Sequence, residues 1–80
     1  MKLEFSPTAQ KQLKKLPKHQ IKKIIKKINL LEKDPNYGKK LQGELKNKFS
    51  LRAWPYRIVY KINNQILYIV VIQHRQSAYK

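Results

Sequence analysis

The sequence predicts an α+β domain: an N-terminal strand and a helical hairpin packed on an antiparallel sheet, with three strands at the C-terminal end. Three observations predict it. Apolar residues recur with a helical period between residues 9 and 31, the period shortens to two after Gly43, and residues 66–72 are apolar without a break. One strand, two helices and then strands in antiparallel succession place the helices on one side of a sheet. Eighty residues hold a single domain, here residues 1–80.

Each element has its own signal. Residues 2–5 alternate polar and apolar, which suits a short edge strand. Ser6-Pro7 reads as a helix cap followed by proline at the first helical position. Ala9, Leu13 and Leu16 mark a short amphipathic helix that Pro17 ends. A second helix starts near Lys18, where Ile21, Ile24, Ile25, Ile28 and Leu31 form one buried stripe and Lys22, Lys23, Lys26 and Lys27 fill the opposite face. The cluster Asp34-Pro35-Asn36-Tyr37-Gly38 stops it.

Beyond Gly43, Phe49, Leu51 and Ala53 alternate with Lys48, Ser50 and Arg52. Trp54-Pro55 breaks the run as a tight connection, with the indole read as a structural plug beside the proline. Tyr56, Ile58, Tyr60 and Ile62 then alternate with Arg57, Val59 and Lys61. Asn63-Asn64 is a turn signal, since asparagine tolerates positive φ. Residues 66–72, apolar on both faces, suit a central strand. One sheet face would bury Phe49, Leu51, Ile58 and Tyr60 under the hairpin. The other would display Lys48, Ser50, Arg52, Arg57 and Lys61.

Charge narrows the function. Nineteen lysines and arginines face four acids, a formal net charge of +15. Such a field draws polyanions at long range. Nucleic acid, an anionic membrane surface and an acidic protein all fit it. The chain has no cysteine, so disulfides and thiolate metal sites are excluded. Its two glycines make no phosphate-binding loop, and His19 and His74 are far apart with no carboxylate pair nearby. Neither a metal nor a small-molecule cofactor is expected. The N-terminus has no apolar leader, and the longest apolar run is too short to cross a bilayer, so a cytoplasmic protein without a membrane partner is the expectation.

What remains is a cluster of cations with a phenol and an imidazole. RNA is cut without metal when its own 2′-hydroxyl attacks the neighbouring phosphate. That reaction needs a proton acceptor, cations for the charge building on the phosphate and a proton donor for the departing oxygen. Arginine suits the second task because its fork matches phosphate oxygens. Tyr79, a phenol whose ordinary pKa of about 10 is lowered by cations, and His74, ordinarily near 6.5, are both candidates for moving the proton. The segment from His74 to Tyr79 leaves the central strand and would fold back beside the arginines.

Leu51-Arg52, Pro55-Tyr56-Arg57-Ile58-Val59-Tyr60-Lys61-Ile62, then Ile72-Gln73-His74-Arg75 and Tyr79 resemble the RelE/ParE superfamily of toxins from type II toxin–antitoxin systems, the RelE-like branch in particular. The stretch from Phe5 to Leu16 and Leu41-Gln42-Gly43 also look like that family, so the resemblance covers nearly the whole chain in order. It implies a helical hairpin on an antiparallel sheet and a toxin that enters the ribosomal A site, cleaves mRNA there and halts translation. It carries the catalytic arginine onto Arg57, the C-terminal tyrosine onto Tyr79 and a basic residue of the closing segment onto Arg75. Lys48 and Ser50 fall where some members carry lysines, so one lysine is a serine here. Lys48, Ser50, Arg52 and Lys61 would contact RNA. The partners implied are the ribosome, its mRNA and a cognate antitoxin, acidic or amphipathic. Two alternatives stay open: a ParE-type inhibitor of DNA gyrase, and a basic RNA- or ribosome-binding module without catalysis.

Overall fold

The computed structural model describes residues 2–34, 37–40 and 48–74. Ser6 sets the first corner. Its backbone is extended, its Oγ accepts the Ala9 N–H at 2.9 Å, and the same hydroxyl donates to the Val70 carbonyl at 2.6 Å. One buried side chain thus caps a helix and pins it to a strand 64 residues away. Before it runs β1 (Lys2–Phe5), and after it α1 (Pro7–Lys14) and α2 (Lys18–Lys33). Helix α1 ends two residues short of Leu16. The Lys15 and Leu16 amides bond to carbonyls three residues back, and Pro17 then starts α2.

The second helix buries Ile24, Ile28 and Leu31 completely, with Ile21 and Ile25 half-buried beside them. Lys22, Lys23 and Lys26 are exposed, as the pattern predicts, and Lys27 is half-buried.

Four further strands follow: β2 (Lys39–Lys40), β3 (Phe49–Ala53), β4 (Tyr56–Asn63) and β5 (Ile66–His74). The sheet order is β1-β5-β4-β3-β2. The three C-terminal strands form the expected antiparallel succession, and β1 lies at an edge. The sheet is mixed, however, because β1 runs parallel to β5. The chain leaves β1 and returns to its side only after the helices and three strands, the kind of long crossover that parallel pairing requires. Strand β2 has no signal in the sequence: two lysines show no alternation. The β4–β5 turn falls on Asn64 and Gln65, both with positive φ, one residue later than the Asn63-Asn64 signal. Trp54-Pro55, joined by a cis peptide bond, makes the β3–β4 turn.

Leu51, Ala53, Ile58, Tyr60, Leu67, Ile69 and Ile72 meet Ala9, Ile24, Ile28 and Leu31 in one core. Phe49, expected in that layer, is half-buried and stacks on Tyr60 at 5.4 Å between ring centres. The Tyr60 hydroxyl accepts the Gly38 N–H at 3.1 Å. A Cβ at Gly38 would lie 2.1 Å from that oxygen, so only glycine fits the approach.

A bulge between Val59 and Tyr60 controls the phase of β5. Val59 pairs with Val71 and Tyr60 with Ile69, which leaves Val70 as the extra residue. Leu67 and Ile69 face the core before it, and Ile72 faces the core after it. Strict alternation from Leu67 and Ile69 would instead have turned Val71 and Gln73 inward and His74 outward.

Candidate functional site

The helices cover one sheet face, and among the described residues no helix covers the other, called the open face below. Residues paired directly across antiparallel strands share a face, so the register assigns its members. Lys39 pairs with Ser50, Ser50 with Val59, Arg52 with Arg57, Arg57 with Gln73, and Lys61 with Tyr68. Ser50, Arg52, Arg57 and Lys61 therefore share the open face, as the alternation predicts, and Lys48 stands two residues before Ser50 in the same phase. Val59, 2% exposed, forms an apolar floor between Arg57 and Lys61. Pairing of Glu4 with Tyr68 brings Glu4 to this face, the single carboxylate there among the described residues.

Arg57 is half-buried, and its Nη2 donates to the Gln73 Oε1 at 2.8 Å. That bond sets the plane of the guanidinium, and a planar fork so held can present its N–H groups to phosphate oxygens. Arg52, directly opposite, is exposed. Across the face, the Lys61 ammonium stands 5.1 Å from the centre of the Tyr68 ring.

His74 does not join this group. It is the last residue of β5 and pairs with Tyr56, and the two rings meet edge to face at 5.3 Å. Both border a hollow of about 390 Å³ between the end of β5 and Gln12, Lys15 and Leu16, which Val71, Ile72 and Gln73 also line. The bulge is the cause, since it turns Gln73 toward Arg57 and His74 away. Arg75 and Tyr79 lie outside the described residues, as does the Leu41-Gln42-Gly43 segment. Gln73, Tyr68 and Lys39 are the members that sequence reasoning missed. Gln73 was hidden by the phase shift, Tyr68 by its place in a continuous apolar run and Lys39 by the brevity of β2.

Among the described residues no group of three or more His, Cys, Asp or Glu side chains comes together, and no helix is long and apolar enough to cross a membrane. The described chemistry is a cationic, arginine-centred face with an amide holding one guanidinium in place.

Comparison with known proteins agrees with the fold. The family described as the ParE toxin of type II toxin–antitoxin systems, parDE, matches residues 3–79. Toxin RelG of Mycobacterium tuberculosis is 30% identical over 82 residues, covering 98% of this chain and 94% of the relative. In the RelBE2 toxin–antitoxin complex of the same organism, a chain 31% identical superposes with a TM-score of 0.83 over 92% of this chain and 90% of its own length. The YoeB–YefM complex of Staphylococcus aureus shares the fold at 22% identity, with a TM-score of 0.81 over 92% of this chain and 95% of that one. The family match over nearly the whole chain, the 30% identical relative and the shared fold lead to one conclusion: the chain belongs to the RelE/ParE superfamily of toxins from type II toxin–antitoxin systems.

Proposed function

We propose that this toxin is a ribosome-dependent, metal-independent endoribonuclease that cuts mRNA in the ribosomal A site and so inhibits translation. The observation that carries the reading is the Arg57 guanidinium, oriented by Gln73 on a face with Arg52 directly opposite and, among the described residues, a single carboxylate. Preorganised cations aimed at developing charge are worth most where they need no rearrangement during reaction.

In the proposed step the 2′-oxygen forms a bond to the adjacent phosphorus, and the bond from phosphorus to the 5′-oxygen breaks. The products are a 2′,3′-cyclic phosphate and a 5′-hydroxyl. One proton leaves the 2′-hydroxyl and one reaches the departing oxygen. Arg57 stabilises the charge on the phosphate, and Lys48, Ser50, Arg52 and Lys61 hold the strand. Arg75 adds a cation from the closing segment. With His74 turned to the helical side, Tyr79 is the candidate for accepting the proton. Chemistry this sparse gains from a ribosome that holds mRNA in a reactive geometry, since positioning alone supplies several kcal/mol. Action on translating ribosomes implies a cytoplasmic site. A cognate antitoxin, acidic or amphipathic to match the +15 chain, is the proposed inhibitor; the RelBE2 and YoeB–YefM neighbours are toxin–antitoxin complexes.

Induced expression with mapping of mRNA 5′ ends tests this reading. Cuts should cluster in translated frames, and Arg57→Ala should lower cleavage on the order of 10²–10³-fold, as loss of one charge-stabilising donor does. Full cleavage by Arg57→Ala would remove the arginine from the mechanism. The match to the ParE family favours a second reading, inhibition of DNA gyrase without nuclease activity. Intact mRNA together with loss of DNA supercoiling on induction would establish it instead.

A further inference from the structure

Trp54 is the chain's single tryptophan, and it is not the plug its place beside Pro55 suggests: the residue is 49% exposed. An indole of this size normally buries about 150–250 Å², so leaving half of it in water at a hairpin tip forgoes part of that gain. The backbone beneath it is anchored. Ala53 is 1% exposed on one side, Pro55 is half-buried on the other, and the Lys23 ammonium of α2 donates to the Trp54 carbonyl oxygen.

The turn also lies next to the arginines. Ala53 pairs with Tyr56, and the next pair along is Arg52 with Arg57. Only Ala53 separates Trp54 from Arg52, a step of two residues or about 7 Å at the usual rise of an extended chain. A strand whose phosphate rests between these guanidinium groups therefore has a half-exposed aromatic residue within the reach of a neighbouring nucleotide. Bases stack on aromatic side chains whatever their identity, and the stacking strength differs among them.

We infer that Trp54 is a stacking platform for an unpaired base of the RNA whose phosphate lies against Arg57, and that it sets which nucleotide sits beside the cut. The inference rests on the nuclease reading and adds to it a base-contacting residue, where the arginines contact only backbone.

As the single tryptophan, Trp54 reports on itself. The full-length toxin is titrated with a 2′-O-methylated single-stranded RNA hexamer, which cannot be cleaved, and with a hexamer of the same backbone lacking bases. The base-bearing hexamer should quench the indole emission saturably and the abasic one should not. Trp54→Ala should weaken binding of the base-bearing hexamer between about 5-fold and 150-fold, the equivalent of about 1–3 kcal/mol of stacking. Trp54→Phe should restore part of that loss, and the cut sites of Trp54→Ala on ribosome-bound mRNA should shift in nucleotide preference. Equal quenching by both hexamers, or an unchanged emission, would overturn the platform. The outcomes separate the two claims. Ribosome-dependent cleavage with an unchanged emission defeats the platform and leaves the nuclease, whereas base-dependent quenching with no cleavage by the parent protein supports the platform and defeats the nuclease.

Discussion

Gln73 and His74 are neighbours in sequence whose side chains meet different partners, Arg57 and Tyr56, and they make opposite predictions. Gln73 fixes the Arg57 guanidinium at 2.8 Å. Its replacement by alanine should lower ribosome-dependent cleavage by about 10-fold, the cost of losing a charge-assisted bond worth about 1.5 kcal/mol. His74→Ala should leave cleavage within about 3-fold of the parent, because its ring packs on Tyr56 across the sheet from the arginines. Measuring single-turnover cleavage for both variants checks the assignment, and a collapse in His74→Ala with full activity in Gln73→Ala would reverse it. Tyr60 makes a prediction about alkali. Burial, chiefly, raises its pKa above the ordinary phenol value, Asp34 adds to the rise, and the Gly38 amide opposes it. A pKa higher in the folded than in the unfolded chain contributes stability that is complete below about pH 10 and is lost as pH climbs through the folded value. Tyr60→Phe should therefore show a shallower fall in unfolding free energy above pH 10, while losing about 1 kcal/mol at neutral pH because the Gly38 N–H loses its acceptor. Parallel alkaline stability curves for the two proteins would contradict this.

Among the elements, the β1–α1 corner is tied to β5 by several bonds at once. The Ser6 amide donates to the Ile69 carbonyl, its hydroxyl donates to Val70, and its oxygen receives Ala9. A little farther on, the Gln12 side chain accepts the Ile72 amide at 2.7 Å, so α1 supplies the edge pairing that β1 is too short to give. Ser6→Ala should cost about 1–3 kcal/mol, combining a lost cap with a buried carbonyl deprived of its donor. Urea unfolding checks it, and a loss below about 0.5 kcal/mol would show that the corner is held by packing instead. The α1 and α2 helices were legible from the sequence because one-sided apolar stripes of period 3.6 need no partner to be seen. The edge pair β2 was not, since two lysines hold a strand conformation only through their neighbours in β3.

For the whole molecule, charge is the dominant quantity. A +15 chain binding a polyanion releases condensed counterions, so its affinity for ribosomes should fall steeply with salt. With about six phosphates neutralised, raising salt from about 50 to 200 mM should weaken binding about 10³-fold. A salt-independent affinity in a sedimentation assay would mean that contacts other than phosphates dominate. The charge is also divided. Lys22 and Lys26 of α2 are exposed opposite its buried stripe, and Arg52 and Arg57 occupy the open face.

The amino-acid sequence by itself determined the α+β class, the two helices, the antiparallel β3–β4–β5 succession and the face shared by Ser50, Arg52, Arg57 and Lys61. Those follow from local periods, which one segment expresses without reference to another. Only the tertiary structure decided that β1 joins in parallel and that Trp54 stands in solvent. It alone decided, too, that one extra residue at Val70 aims Gln73 rather than His74 at Arg57. The physical reason is that a bulge belongs to a pair of strands: its position depends on how β4 and β5 share the core, which no run of residues in either strand records.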